Sequence, residues 1–199
     1  AYNTTLVQRQ QLPQRIEDLL DPQWRGQIGV DQRATVWFDG MLQAMGKEKG
    51  LEFMRELAKH GIQWRRGHSL VTQLLAAGEF KLAPELYAKD VEEMRQKRAP
   101  VDFVRVGPRV IGLHPMSVAR FAPRPYGAIL FYDFMLSKEI QQWMAKEEFF
   151  PPIRRDVSPA DAKLVIKGRP GVDWIALDPI KDGDRAKEIE RAFKETMLR

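Results

Sequence analysis

Apolar residues in this chain come in two rhythms, short continuous runs and stripes with a helical repeat, and the two alternate. Ile28, Gly29 and Val30 form a run closed by Asp31, which predicts a short buried strand. Trp37, Met41, Leu42 and Met45 follow at helical spacing, with Gly46 as the stop. Leu51, Met54, Leu57 and Ala58 predict a second helix ending at His60 and Gly61, after which Ile62, Gln63 and Trp64 restart a strand. From Arg65 to Glu79, the residues Leu70, Val71, Leu74 and Leu75 share one helical face, with Ser69 placed to cap that helix and Gly78 to end it. Leu82 and Ala83 predict another strand, Asp90 caps a short charged helix through Met94, and strands are expected near 103–106 and 109–113.

The flanks read differently. Tyr2 to Val7 is β-favouring and resembles the middle of a strand. Pro13 opens a short turn carrying Ile16, Leu19 and Leu20, and Asp21–Pro22 closes it, because proline disfavours helix in the residue before it. Ala128 to Leu136 is strongly apolar and predicts a core helix, and Ser137 caps a further one through Ile140 and Met144. Phe149 to Pro179 is proline-rich, and Ile189, Phe193 and Met197 share a face of a last helix that starts at about Asp184. Strands alternating with helices predict an α/β layer fold.

Composition narrows what such a fold can do. The 199 residues hold 44% hydrophobic and 30% charged residues, enough for a soluble domain with a core. The net charge is +5, spread along the chain, which biases the protein mildly toward anions and does not predict nucleic-acid binding. There is no cysteine, which excludes disulfides, thiolate metal sites and cysteine nucleophiles. No stretch approaches the ~20 apolar residues that span a bilayer. His60, His68 and His114 show no close metal-ligand spacing, and neither HExxH nor GxSxG occurs, so no metal, cofactor or catalytic residue is expected. His60 reads as a helix C-terminal residue, Glu79 and Glu85 as too isolated for an acid/base pair, and Glu92, Glu93, Arg95, Lys97 and Arg98 as a solvated helix face.

Four blocks in order carry a resemblance: YNTTLV at Tyr2, LPQRIEDLLDPQWRGQIGV at Leu12, GHSLVTQLLAAGE at Gly67 and APRPYGAILFYDFMLSKEIQ at Ala122. Together they resemble the extracellular solute-binding proteins of ABC importers, in the ferric-iron-type branch of the type II periplasmic binding protein fold. The resemblance implies two α/β lobes joined by crossing strands, with solute trapped between them. It implies residues 1–8 as a crossing strand, 9–108 as the second lobe and 109–150 as the return crossing with helices that normally dock on the first lobe. Residues 151–199 are then a C-terminal segment whose helix returns to the second lobe, and almost all of the first lobe is expected to lie upstream of Ala1.

The implied function is capture of a small solute, anionic or metal-complexed, for delivery to a membrane permease in the periplasm or outside the cell. The same lobe fold in the effector domain of a transcription regulator is the alternative. Arg66, Gly67, His68 and Ser69 form a helix-start turn suited to an anion, although Ser69 as a plain cap and Arg66 as a solvated charge explain the same residues. Trp37 near a second helix start is either a ligand platform or core. Tyr2, Asn3 and His114 fall in the implied crossings, where a hinge role is expected. Ferric-iron binders of the family use neighbouring tyrosines, whereas KLAPELYAKD leaves Tyr87 alone; that departure weakens the case for iron and leaves Tyr87 to stack on or hydrogen-bond an organic solute, or to pack half-buried. If the apolar face of Ile129, Phe131 and Phe134 has lost its usual partner, a homodimer is expected.

Overall fold

Gly29–Asp31 (β2) and Gln63–Arg65 (β3) run parallel, with Val30 opposite Trp64 and Asp31 opposite Arg65 in the computed structural model. It describes residues 1–160, 164, 169, 171–177 and 185–198. Leu82 bridges Ile28 in parallel and Tyr2 in antiparallel fashion, and Tyr2–Asn3 (β1) pairs in turn with Val101–Asp102 (β4). These bridges join the pairs into one mixed layer in the order β3, β2, Leu82, β1, β4. Gly29 is small for a reason: an added Cβ would lie 2.3 Å from the ring of Phe80, which is fully buried. A second parallel pair joins Arg109–Gly112 (β5) to Trp174–Leu177 (β6).

Helices flank these strands. Thr35–Met45 (α1) and Lys47–Ala58 (α2) follow β2, His68–Ala77 (α3) follows β3, and Ala88–Gln96 (α4) precedes β4. Trp37, Phe38, Met41 and Leu42 of α1 join Phe53, Met54 and Leu57 of α2 in the main core. The last helix, Ala186–Met197 (α7), packs on both through Ile189, Phe193 and Met197. The predicted start of that helix near Asp184 lies outside the described residues. A smaller core of Val71, Leu75, Phe80, Ala83, Val91 and Val101 sits between α3, α4 and β4.

The chain divides into two compact units, residues 1–113 with those from 167 on, and 114–166. In the second unit Pro125–Leu136 (α5) packs with Lys138–Glu147 (α6), and the Ser137 side chain accepts from Ile140 N–H at 3.4 Å, capping α6 as its sequence predicts. Expectation and structure differ on α5, whose residues are all at least partly exposed although its apolar sequence predicts a core helix.

Further differences are local. The opening strand stops at Asn3, because its side-chain Oδ1 accepts from Thr5 N–H (2.9 Å) and Leu6 N–H (3.2 Å) and turns the chain. No strand forms at 103–106; pairing ends at Asp102, and Val104 stays exposed. Helix α4 begins at Ala88, so Asp90 lies in its first turn and is not its cap. His60 lies beyond α2, buried, with its carbonyl accepting from Gly26 N–H at 2.7 Å. Glu92 is buried and not solvated, held by Arg95 and by the side-chain amide of Gln96 at 2.8 Å.

Candidate functional site

Parallel strands that each feed a helix bring helix N-termini together at their carboxyl ends, where unpaired N–H groups and the helix dipole attract anions. Here β2 ends at Asp31 and leads to α1, while β3 ends at Arg65 and leads to α3. Gly67 makes the turn between β3 and α3 with φ +112°, a conformation that L side chains rarely adopt.

Asp31 closes this edge from within. Its side chain is fully buried. Oδ1 accepts from Arg33 N–H at 2.9 Å, and Oδ2 accepts from Gly67 N–H at 3.2 Å and from Arg33 Nη2 at 3.3 Å. An internal carboxylate therefore ties the residue before α3 to the end of β2. The helix starts at His68 with Gly67 at its N-cap position, so Ser69 is an exposed first-turn residue and not the predicted cap. The amides of His68, Ser69 and Leu70 in this first turn have no acceptor within the helix.

His68 connects three elements. Its Nδ1 lies 3.2 Å from Asp31 Oδ2, and its Nε2 lies 2.8 Å from Glu85 Oε2. The second contact is close but not aligned as a hydrogen bond, since the buried Oε2 receives none among the described residues. Glu85 Oε1 accepts from Asp31 N–H at 2.8 Å, which fixes the loop before α4 onto β2. The Tyr87 ring lies 4.5 Å from the His68 ring, tilted by 36°.

Electrostatics follow from this packing. Desolvation is the largest influence on His68 and acts to lower its pKa, but contact with Glu85 and the charges of Asp31 and Asp90 outweigh it and raise the value above 6.5. Burial, reinforced by Glu85, Asp90 and Asp31, raises the Tyr87 phenol above 10 and disfavours its phenolate.

The residues singled out from sequence thus fall into groups. Arg66 and Ser69 are exposed, Gly67 and His68 half-buried, and Tyr87 lies at the start of α4 with 36% of its surface exposed; all five gather around the turn into α3. Trp37 points into the main core at 7% exposure, and Asp31 and Arg33 occupy the α1 entrance instead. Tyr2 and Asn3 are buried in β1. His114 is exposed, opens the second unit and meets the Phe150 ring edge-on at 6.4 Å. Sequence reasoning passed over Asp31 and Glu85. The readable signal for Asp31 was an acid at the end of a strand followed by a helix start; Glu85 had none. Among the described residues, no three His, Asp or Glu side chains are arranged to hold a metal ion.

The layered α/β frame is that of type II periplasmic binding proteins. A family model of the bacterial extracellular solute-binding proteins matches residues 1–181, and the chain belongs to that family. It is similar in fold to the substrate-binding protein of an ABC transporter from Agrobacterium tumefaciens, at 15% identity and a TM-score of 0.70, covering 97% of this chain and 64% of that one. Iron-bound HitA from Pseudomonas aeruginosa gives 20% identity and a TM-score of 0.70, with 96% and 65% covered. AfuA from Actinobacillus pleuropneumoniae, with exogenous fructose-6-phosphate bound, gives 21% and 0.69, with 99% and 65% covered. The chain thus spans a little under two thirds of the length of these proteins. Nothing in the likenesses favours an effector domain of a transcription regulator.

Proposed function

We propose that the chain serves as the solute-gripping lobe of an ABC importer's binding protein, working outside the cytoplasm or in the periplasm, and that it takes a small anionic solute at the turn into α3. The observation that carries this reading is the convergence of Arg66, the first-turn amides of α3 and the Tyr87 ring at the carboxyl edge of β2 and β3. Delivery to a membrane permease follows from the family. No covalent step is needed: binding and release suffice.

The fold neighbours include one with iron bound and one with a sugar phosphate bound. Tyr87 supports the second kind of solute, because a single phenol whose ionisation is disfavoured suits hydrogen bonding better than coordination of a hard trivalent ion. The exposed apolar surface of α5 supports self-association, which multi-angle light scattering at increasing concentration checks. The solute class is tested by thermal shift with sulfate, inorganic phosphate, fructose-6-phosphate and a ferric salt. Stabilisation by the oxyanions, lost in Arg66→Ala and Tyr87→Ala, is expected; stabilisation by ferric iron alone would overturn the assignment.

A further inference from the structure

Asp31 and Glu85 present carboxylate oxygens to opposite nitrogens of one imidazole, at 3.2 and 2.8 Å. A neutral imidazole has one N–H and one lone pair, so one of these contacts would set a lone pair against an anion; only the doubly protonated ring suits both. Water cannot relieve that repulsion, since the two carboxylate side chains are 0% and 1% exposed. We infer that Asp31 and Glu85 are positioning residues that hold the His68 ring as a cation between them, and that the grip of this site on an anionic solute therefore weakens as pH rises.

The charges around the ring set the direction. From β2 comes Asp31, with the Arg33 guanidinium on its outer side; from the loop before α4 come Glu85 and the Tyr87 phenol; from α4 comes Asp90, engaged by Lys89 at 2.6 Å. With His68 charged, the two buried carboxylates are balanced by His68 and Arg33. Once His68 loses its proton, one uncompensated negative charge remains directly beneath the first turn of α3, where the proposed solute sits. The raised proton affinity of His68 has the same origin. The ring also abuts Tyr87, so its placement sets where that side chain meets solute.

The solute half of this inference rests on the proposed anion site, whereas the charge state of His68 does not, and the experiment separates them. Titration of the unliganded chain is followed by NMR at the imidazole carbons, with the His68 signal identified by its loss in His68→Gln. The His68 midpoint is expected above the ordinary value of about 6.5, and Glu85→Gln is expected to lower it by about one unit, a tenfold change in proton affinity. A wild-type midpoint at or below the ordinary value overturns the positioning role even if the variants fail to fold, and an unmoved midpoint in a folded Glu85→Gln overturns it as well; Asp31→Asn supplies a second substitution. Sulfate affinity, which has no ligand titration of its own in this range, is then measured from pH 6 to 9. A fall of about tenfold, absent in His68→Gln, is expected from one new charge at close range. Flat affinity in the wild type overturns the pH linkage. No sulfate binding at any pH, with His68 still titrating high, overturns the anion site and leaves the positioning role standing.

Discussion

Two of the buried acidic clusters in the first unit are neutralised differently. Glu92 in α4 is held by Arg95 one helical turn away and by Gln96, with Asp102 of β4 3.6 Å from the same guanidinium. Asp31 and Glu85 are held by His68, across strand, loop and helix. Arginine keeps its charge throughout the physiological range and histidine does not. The Glu92 cluster is thus a permanent fastening, and the Asp31 cluster a conditional one placed beside the candidate site. A buried ion pair is weak evidence for stability, but breaking one exposes the remaining charge to a nearly dry surrounding.

That contrast can be broken from either side. Arg95→Ala should cause the largest loss, about 2–4 kcal/mol in urea unfolding, because it leaves Glu92 buried without its cation. The loss should be constant from pH 6 to 9, because the guanidinium that is removed keeps its charge throughout that range. Asp31→Asn should cost about 1–2 kcal/mol, since the amide keeps one acceptor oxygen where the carboxylate uses two, one for Arg33 N–H and one for Gly67 N–H. Wild-type stability should then carry a smaller pH-dependent part that comes from His68. Its pKa is raised in the folded state, so the folded chain binds the proton more tightly than the unfolded one. That contribution is complete below about pH 6.5 and declines as pH climbs through the folded value. Urea unfolding of His68→Gln should lack this decline. Arg66→Ala should be smallest, within about 0.5 kcal/mol of wild type, since the residue is exposed, yet it should weaken sulfate binding in titration calorimetry.

The difference between the clusters also explains what could be read from sequence. The alternation of strands and helices, the stripes of α1, α2, α3 and α7, the stop at Gly78 and the cap at Ser137 are local patterns, and each is present. Glu92, Arg95 and Gln96 are local too, but their spacing suits a solvated face equally well; only packing against Val91, Val101 and their neighbours distinguishes the two. Asp31, His68 and Glu85 meet through tertiary folding, with Asp31 and Glu85 lying 54 positions apart. The start of α3 differs from expectation for a related reason, because the turn at Gly67 is tied to Asp31 of a distant strand and Ser69 falls inside the helix. In α5 an apolar sequence predicts burial, but burial requires a facing surface, and Leu130 is 71% exposed. The resemblance carried by the four sequence blocks agrees with the family and fold likenesses. Trp37 shows the reverse limit, since an aromatic at a helix start reads equally as platform or core until its neighbours are known.

Asn3 holds α3 by the end opposite His68. Its Nδ2 donates to the carbonyls of Leu75 (2.8 Å) and Ala76 (3.2 Å), so the first strand and the final turn of the helix are bolted together inside the core. A ten-residue helix is a stiff rod about 15 Å long. Gripped at both ends, such a rod cannot slide along its axis without breaking bonds at Asn3 or at the Gly67 amide. Asn3→Ala should therefore loosen the final turn of α3, read as faster amide exchange there, while leaving the charges around His68 in place.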